Sequence, residues 1–290
     1  MKFLRDKGEC QGIRADKPAA SGPRESVGEG RRRGEGCLCG AERGCRLAVV
    51  TELFPVPRPR SGPIAPAATP PVGAATPLRV ALELGPKMVF ATALDWPGWC
   101  RRAKGEPAAI DRLLDYAPRY DAVLKRAGLA LPPAYQARIV ERLPGGAGTE
   151  FGAPGVVADD ERRPIDAAEA AQRAGILAAV WEAFDAVAAA APEALRKGPR
   201  GGGRDNSAIV AHVIDCDRGY YGPKVGVRHK PFAPEDRAAL QALRQDILDR
   251  LSQPSDGQPL REGGWTTRFA LRYITWHVLD HLWEIEDRSD

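Results

Sequence analysis

The chain has 290 residues, with 42 Lys and Arg against 38 Asp and Glu, a formal net charge of +4. That length leaves room for two ordinary domains. The charge is uneven: residues 1–79 hold 14 Lys and Arg against 8 Asp and Glu, and the remainder holds 28 against 30. A slightly acidic remainder argues against nucleic acid as the partner of the folded part.

Residues 1–78 are expected to form a disordered tail. Gly/Arg-rich text (GEGRRRGEG) runs into Pro/Ala-rich text (PVPRPRSGPIAPAATPP), with no period long enough to offset chain entropy. Cys37-Leu-Cys39 followed by Cys45 lacks the paired spacing of a zinc ribbon, and with Cys10 these cysteines read as incidental. The run Arg31-Arg32-Arg33 reads as solvated. The stretch Leu47 to Val50 is too short for a signal segment or a membrane span, so the expected location is cytoplasmic, with no membrane partner. A further reading puts the true start near Val80 or Met88, with the tail as translated upstream sequence.

From Arg79 the text changes. RVALELG and MVFATALD are short apolar runs about Gly85-Pro86 and predict a hairpin. A turn follows at Asp95-Trp96-Pro97-Gly98-Trp99-Cys100. Ile110, Leu113, Leu114, Tyr116, Ala117, Tyr120 and Val123 then recur at helical spacing over 106–127, predicting one helix ended by Gly128. ARIVERLP at 137–144 is the third candidate strand. The fold class read from this is α+β: a small β-β-α-β domain at 79–145, a Gly/Pro-rich linker at 146–164, and an antiparallel or mixed four-helix bundle at 165–288.

The stretch VFATALDWPGWCRRAKGEPAAIDRLLDYA resembles the HicB-like antitoxin fold. The resemblance implies a partly open α/β sandwich used for protein contacts and carries over no catalytic residue. Trp96 and Trp99 either line such a surface or cover the small sheet, and the second reading is favoured.

In the bundle, Asp166 to Ala190 repeats Leu177, Val180, Trp181, Phe184 and Val187 on one stripe. Asp205 or Asn206 is placed to cap a second helix with Ile209, His212, Val213, Cys216 and Tyr220 inward. A third helix opens at Pro234-Glu235-Asp236 and turns Leu240, Leu243, Ile247 and Leu251 inward. The last, TRFALRYITWHVLDHLWEIEDR, follows Thr266 or Thr267 and sets Ile274, His277, Val278, His281 and Ile285 on one face.

Three of the four histidines therefore face the core, and the fourth, His229, lies in a polar loop. Two imidazoles four apart on a helix can reach one ion, and His212 supplies a third from a separate helix. The pair is not a protease HExxH, because Val278 stands where the glutamate would be. Asp215 and Asp280 are candidates to orient imidazole N–H groups. Cys216 is either a fourth ligand or a packed side chain, with packing favoured. Arg200 and Arg204 flank three glycines ahead of a helix N-terminus and are candidates to hold a carboxylate or phosphate.

The texts IVAHVIDCDRGYYG and WHVLDHLWEIEDR resemble the DinB-like (YfiT-like) metalloprotein superfamily over residues 165–288. The resemblance implies a four-helix bundle with a divalent metal on His212, His277 and His281. Glu284 stands where members often carry glutamine, and joins Asp215 and Asp280 as a catalytic candidate. The implied activity is transfer of a low-molecular-weight thiol to a small electrophilic substrate, or its hydrolysis. Three imidazoles suit zinc, nickel, iron or manganese to differing degrees. The rival reading is a non-catalytic interaction or stress-response module with a HicB-like binding domain, to which a homodimer would correspond.

Overall fold

A computed structural model describes residues 76–198 and 202–289. The reading of residues 1–75 as a tail with its four cysteines, and of Arg200 as an anion ligand, concerns positions outside the described residues. Thr76, Pro77 and Leu78, expected in that tail, instead belong to the first strand, where they pair with residues 135–137 and Leu78 is buried.

The described part is α+β. Strands β1 (Thr76–Leu84) and β2 (Met88–Ala93) form the expected hairpin, with Val80 opposite Ala93 and Leu84 opposite Val89. The chain reverses over Gly85 to Met88, where the Gly85 N–H donates to the Met88 carbonyl at 2.9 Å. The sheet differs from the β-β-α-β expectation in having a further strand, β3 (Cys100–Lys104), antiparallel to β2. CRRAK has no apolar alternation, and its pairing comes from the Trp96 to Trp99 turn that folds it back on β2. The helix expected over 106–127 is two, α1 (Glu106–Asp115) and α2 (Ala117–Arg126), because Pro118 cannot donate a helical N–H and a new helix starts there. Strand β4 (Tyr135–Pro144) then lies parallel to β1, giving the order β3-β2-β1-β4.

Both faces of this sheet are covered. On one, fully buried Trp99 donates from its indole N–H to the Leu113 carbonyl (2.8 Å) and stacks on Tyr120. Trp99 is thus a core residue, and Trp96 packs half-buried at its edge. On the other face, Phe90 and Cys100 meet Trp276 of the last long helix. Gly98, at φ +84°, lies so close to that helix that a Cβ would sit 2.5 Å from Thr275 Cγ2, so only glycine fits the turn. The sheet side that an open sandwich would present is occupied by this helix.

Residues 146–164 carry the short helix α3 (Ala147–Phe151) and a 3-10 turn at Asp159–Arg162, and they supply buried polar groups. Glu83 of β1 accepts from Thr149 Oγ1 (2.6 Å) and Val156 N–H (3.0 Å). Glu161 pairs with Arg272 at 2.7 Å, both side chains almost fully buried. The segment is a strap that fastens the sheet to the helices.

Four long helices follow or flank: α4 (Ala167–Ala190), α5 (Asn206–Cys216), α7 (Arg237–Leu251) and α8 (Thr267–Arg288). Asp166, Asp236 and Thr266 cap three of them, each accepting a backbone N–H with its side chain. Asp205 stands at the start of α5, but its carboxylate accepts from Leu195 N–H and Lys197 instead of capping. Leu177, Trp181 and Phe184 of α4 pack with Ile209 and Val213 of α5, Leu243 and Ile247 of α7, and Ile274 and Val278 of α8 in one core that also includes the sheet residues Val80 and Leu82. After Cys216 the helix does not stop. It passes through a π-helical turn at Asp217–Tyr221 into α6 (Gly222–Val225), which keeps Tyr221 buried beside α8. No described helix is long and apolar enough to cross a membrane.

Candidate metal centre

His212 comes from α5, and His277 and His281 from successive turns of α8. Their ring centroids lie 5.3 Å (212 to 277), 5.0 Å (212 to 281) and 4.7 Å (277 to 281) apart. Nε2 of His277 and Nε2 of His212 face each other at 3.4 Å. Cys216, fully buried one turn after His212, has its sulfur 3.7 Å from His212 Nε2. Donor atoms of His212, Cys216 and His277 all fall within 4.8 Å of one another, a group that could hold a metal ion.

The surroundings keep the two inner rings neutral. Burial pushes His277 well below its usual range, with His281 and His212 adding to it. Burial, then His281 and Arg204, bring His212 down to about 4. Neutral imidazole is the form that binds a cation. His277 Nδ1 is buried with no hydrogen-bond partner. A buried nitrogen left without a partner is costly, and an ion between the facing Nε2 atoms would leave this one as it is. By donor type and protonation state, the imidazoles fit a divalent ion.

His281 is fixed differently. Its Nδ1 meets Glu284 Oε2 at 2.8 Å, and Glu284 Oε1 accepts from Arg288 Nη1 at 2.6 Å. Burial raises the Glu284 carboxyl, but the His281 and Arg288 contacts outweigh it and hold it below the ordinary range. An ionised carboxylate only accepts, so the proton of this pair sits on Nδ1, which leaves Nε2 as the nitrogen to present to an ion. Glu284→Ala is expected to lower metal affinity by about 10–100-fold, measured by chelator competition. Unchanged affinity would show that the carboxylate does not orient the ring.

The other two carboxylate candidates do not take this role. Asp215, its side chain 67% exposed, pairs with Arg218, and Asp280, 44% exposed, pairs with Arg101 of β3. Three residues after His212 and one before His281, each turns outward from its ligand neighbour. Arg204 lies exposed ahead of α5.

An aromatic wall adjoins the histidines that periodicity did not reveal. Tyr221 meets the His277 ring edge-on at 5.2 Å, and Trp265, Tyr273 and Trp276 continue from it. The π-helical turn places Tyr221 there. The only sequence signal was the density of aromatics in RGYYG and around Trp276.

No family model matches the chain, and no curated protein or solved structure matches it.

Proposed function

We propose that α4, α5, α7 and α8 form a four-helix bundle of the DinB-like type, and that the chain is a metal-dependent enzyme. It would transfer a small thiol to, or hydrolyse, a small electrophilic substrate. The supporting observation is the convergence of His212, His277 and His281, from two helices, with Nε2 of His277 facing Nε2 of His212. A divalent cation held by these three residues would stabilise a thiolate or hydroxide as nucleophile near neutral pH. The chain's own residues supply the rest. Glu284 holds the proton on His281 Nδ1, and Arg288 holds Glu284 in place. Tyr221, Tyr273 and Trp276 exclude water from the His277 side, which strengthens charge interactions there.

The test incubates zinc-supplemented protein with a small thiol and an aryl halide, and separately with a nitrophenyl ester, and follows conjugate or nitrophenolate by absorbance. Turnover in the wild type that His281→Ala abolishes supports the reading. Equal rates in wild type, variant and buffer, with zinc bound to the wild type, contradict it.

A further inference from the structure

Helical phase decides which of two adjacent tyrosines meets the histidines. Val213 of α5 is fully buried, and two turns of α-helix, about seven residues, lead from it to Tyr220. An unbroken α5 would therefore point Tyr220 into the core, as the apolar spacing predicts. The chain instead buries Tyr221, which is 3% exposed, and leaves Tyr220 half-buried against Trp265 and Lys224. The π-helical turn at Asp217–Tyr221 makes the difference, because its hydrogen bonds span one residue more than those of an α-helix. The Gly222 N–H closes it on the Asp217 carbonyl, and a Cβ at Gly222 would sit 3.0 Å from that oxygen and 3.1 Å from the Val227 carbonyl oxygen. Asp217, itself fully buried, ties the start of the turn to α4 by accepting from Trp181 Nε1 at 2.9 Å.

Tyr221 arrives where an orienting neighbour is missing. The χ2 torsion of a histidine has broad minima, so its ring keeps one orientation only if something outside it bonds it or blocks it. His281 has the Glu284 carboxylate on Nδ1. The Nδ1 of His277 is buried with no hydrogen-bond partner, while its Nε2 faces that of His212. Against this ring stands Tyr221, edge-on at 5.2 Å and backed by Trp265 at 5.7 Å and Tyr273 at 5.8 Å. We infer that Tyr221 is a positioning residue for His277. Its ring, brought into phase by the π turn, holds the innermost imidazole with Nε2 toward His212, by packing where His281 is held by a hydrogen bond. The inference rests on the metal-centre reading for its consequence, and it adds how that ligand is oriented without a bonded neighbour.

The test uses Tyr221→Phe, Tyr221→Leu and, as the control for helical phase, Tyr220→Leu in the full chain, each checked for folding by a metal-free thermal melt. Zinc affinity is read by chelator competition, and the visible absorption of bound cobalt reports the ligand geometry. Tyr221→Leu is expected to weaken zinc binding roughly tenfold, the low end for loss of an orienting neighbour, and to alter the cobalt spectrum. Tyr221→Phe, which keeps the ring, and Tyr220→Leu are expected to match the wild type in both. An unchanged affinity and spectrum in Tyr221→Leu, or an equal loss in Tyr220→Leu or Tyr221→Phe, overturns the inference. Tyr221→Met, flexible enough to fill the gap, replaces the leucine variant if that chain does not fold. Proton NMR of the metal-free chain gives a second readout. The His277 ring protons are expected as one sharp set in the wild type and Tyr221→Phe, and broadened or doubled in Tyr221→Leu; one sharp set there as well overturns the inference. If the wild type takes up no zinc, the metal-centre reading falls on that ground, and the NMR comparison alone decides the role of Tyr221.

Discussion

Arg272→Met is expected to destabilise the protein by about 3–5 kcal/mol, the usual cost of leaving one partner of a buried ion pair alone. Arg272 Nε donates to Glu161 Oε1 at 2.7 Å and Nη2 to Glu161 Oε2 at 3.1 Å, and the guanidinium also serves the carbonyls of Pro154 and Val156. Burial alone would lower the Arg272 pKa, but Glu161 outweighs it and holds it above its usual value. Methionine fills much of the volume and returns none of these bonds, so the Glu161 carboxylate is left buried and unpaired. The effect is read as a lowered urea midpoint at constant slope. Adding Glu161→Met should recover part of the loss, because an apolar pair removes the unpaired charge. A loss below about 1 kcal/mol in the single variant would show that the strap is not fastened by this pair. The pair matters to the site because Arg272 lies on the same helix as His277 and His281.

His277→Ala is expected to weaken metal binding by more than about a hundredfold, beyond what loss of an orienting neighbour costs. His277 is the most buried of the three rings and faces His212 directly. In metal-free protein the substitution also removes the orphaned Nδ1, which offsets part of the cavity it leaves. The contrast therefore appears with metal present. Zinc at a hundred times its dissociation constant stabilises the wild type by about 2.7 kcal/mol and the variant by almost nothing. Thermal melts with zinc and with chelator measure both. Equal zinc-induced shifts in the two proteins would remove His277 from the centre.

The histidine cluster was legible in the sequence because helical periodicity is a direct geometric rule. His277 and His281 are four apart, and His212 shares its apolar stripe with Ile209, Val213 and Cys216, so periodicity turned all three inward; His277 is buried, and His212 and His281 are half-buried. The same rule does not say which charged neighbour meets a histidine. Asp280 is adjacent to His281 in sequence and meets Arg101, 179 positions away, while Glu284, three residues on, meets the ring. Strand β3 was illegible because CRRAK has no apolar alternation of its own. The strap escaped notice for a related reason: the polar groups at 149–161 find partners between 65 and 120 residues away, which local pattern cannot encode. The break between α1 and α2 was written in Pro118, whose missing N–H outweighs an unbroken apolar stripe.

The central claim is that His212, His277 and His281 hold a divalent metal, and the direct measurement is metal content by elemental mass spectrometry on the full chain purified without chelator, beside a His277→Ala/His281→Ala variant. Near-stoichiometric metal is expected in the wild type and none in the variant. No metal in the wild type, or equal metal in both, would contradict it.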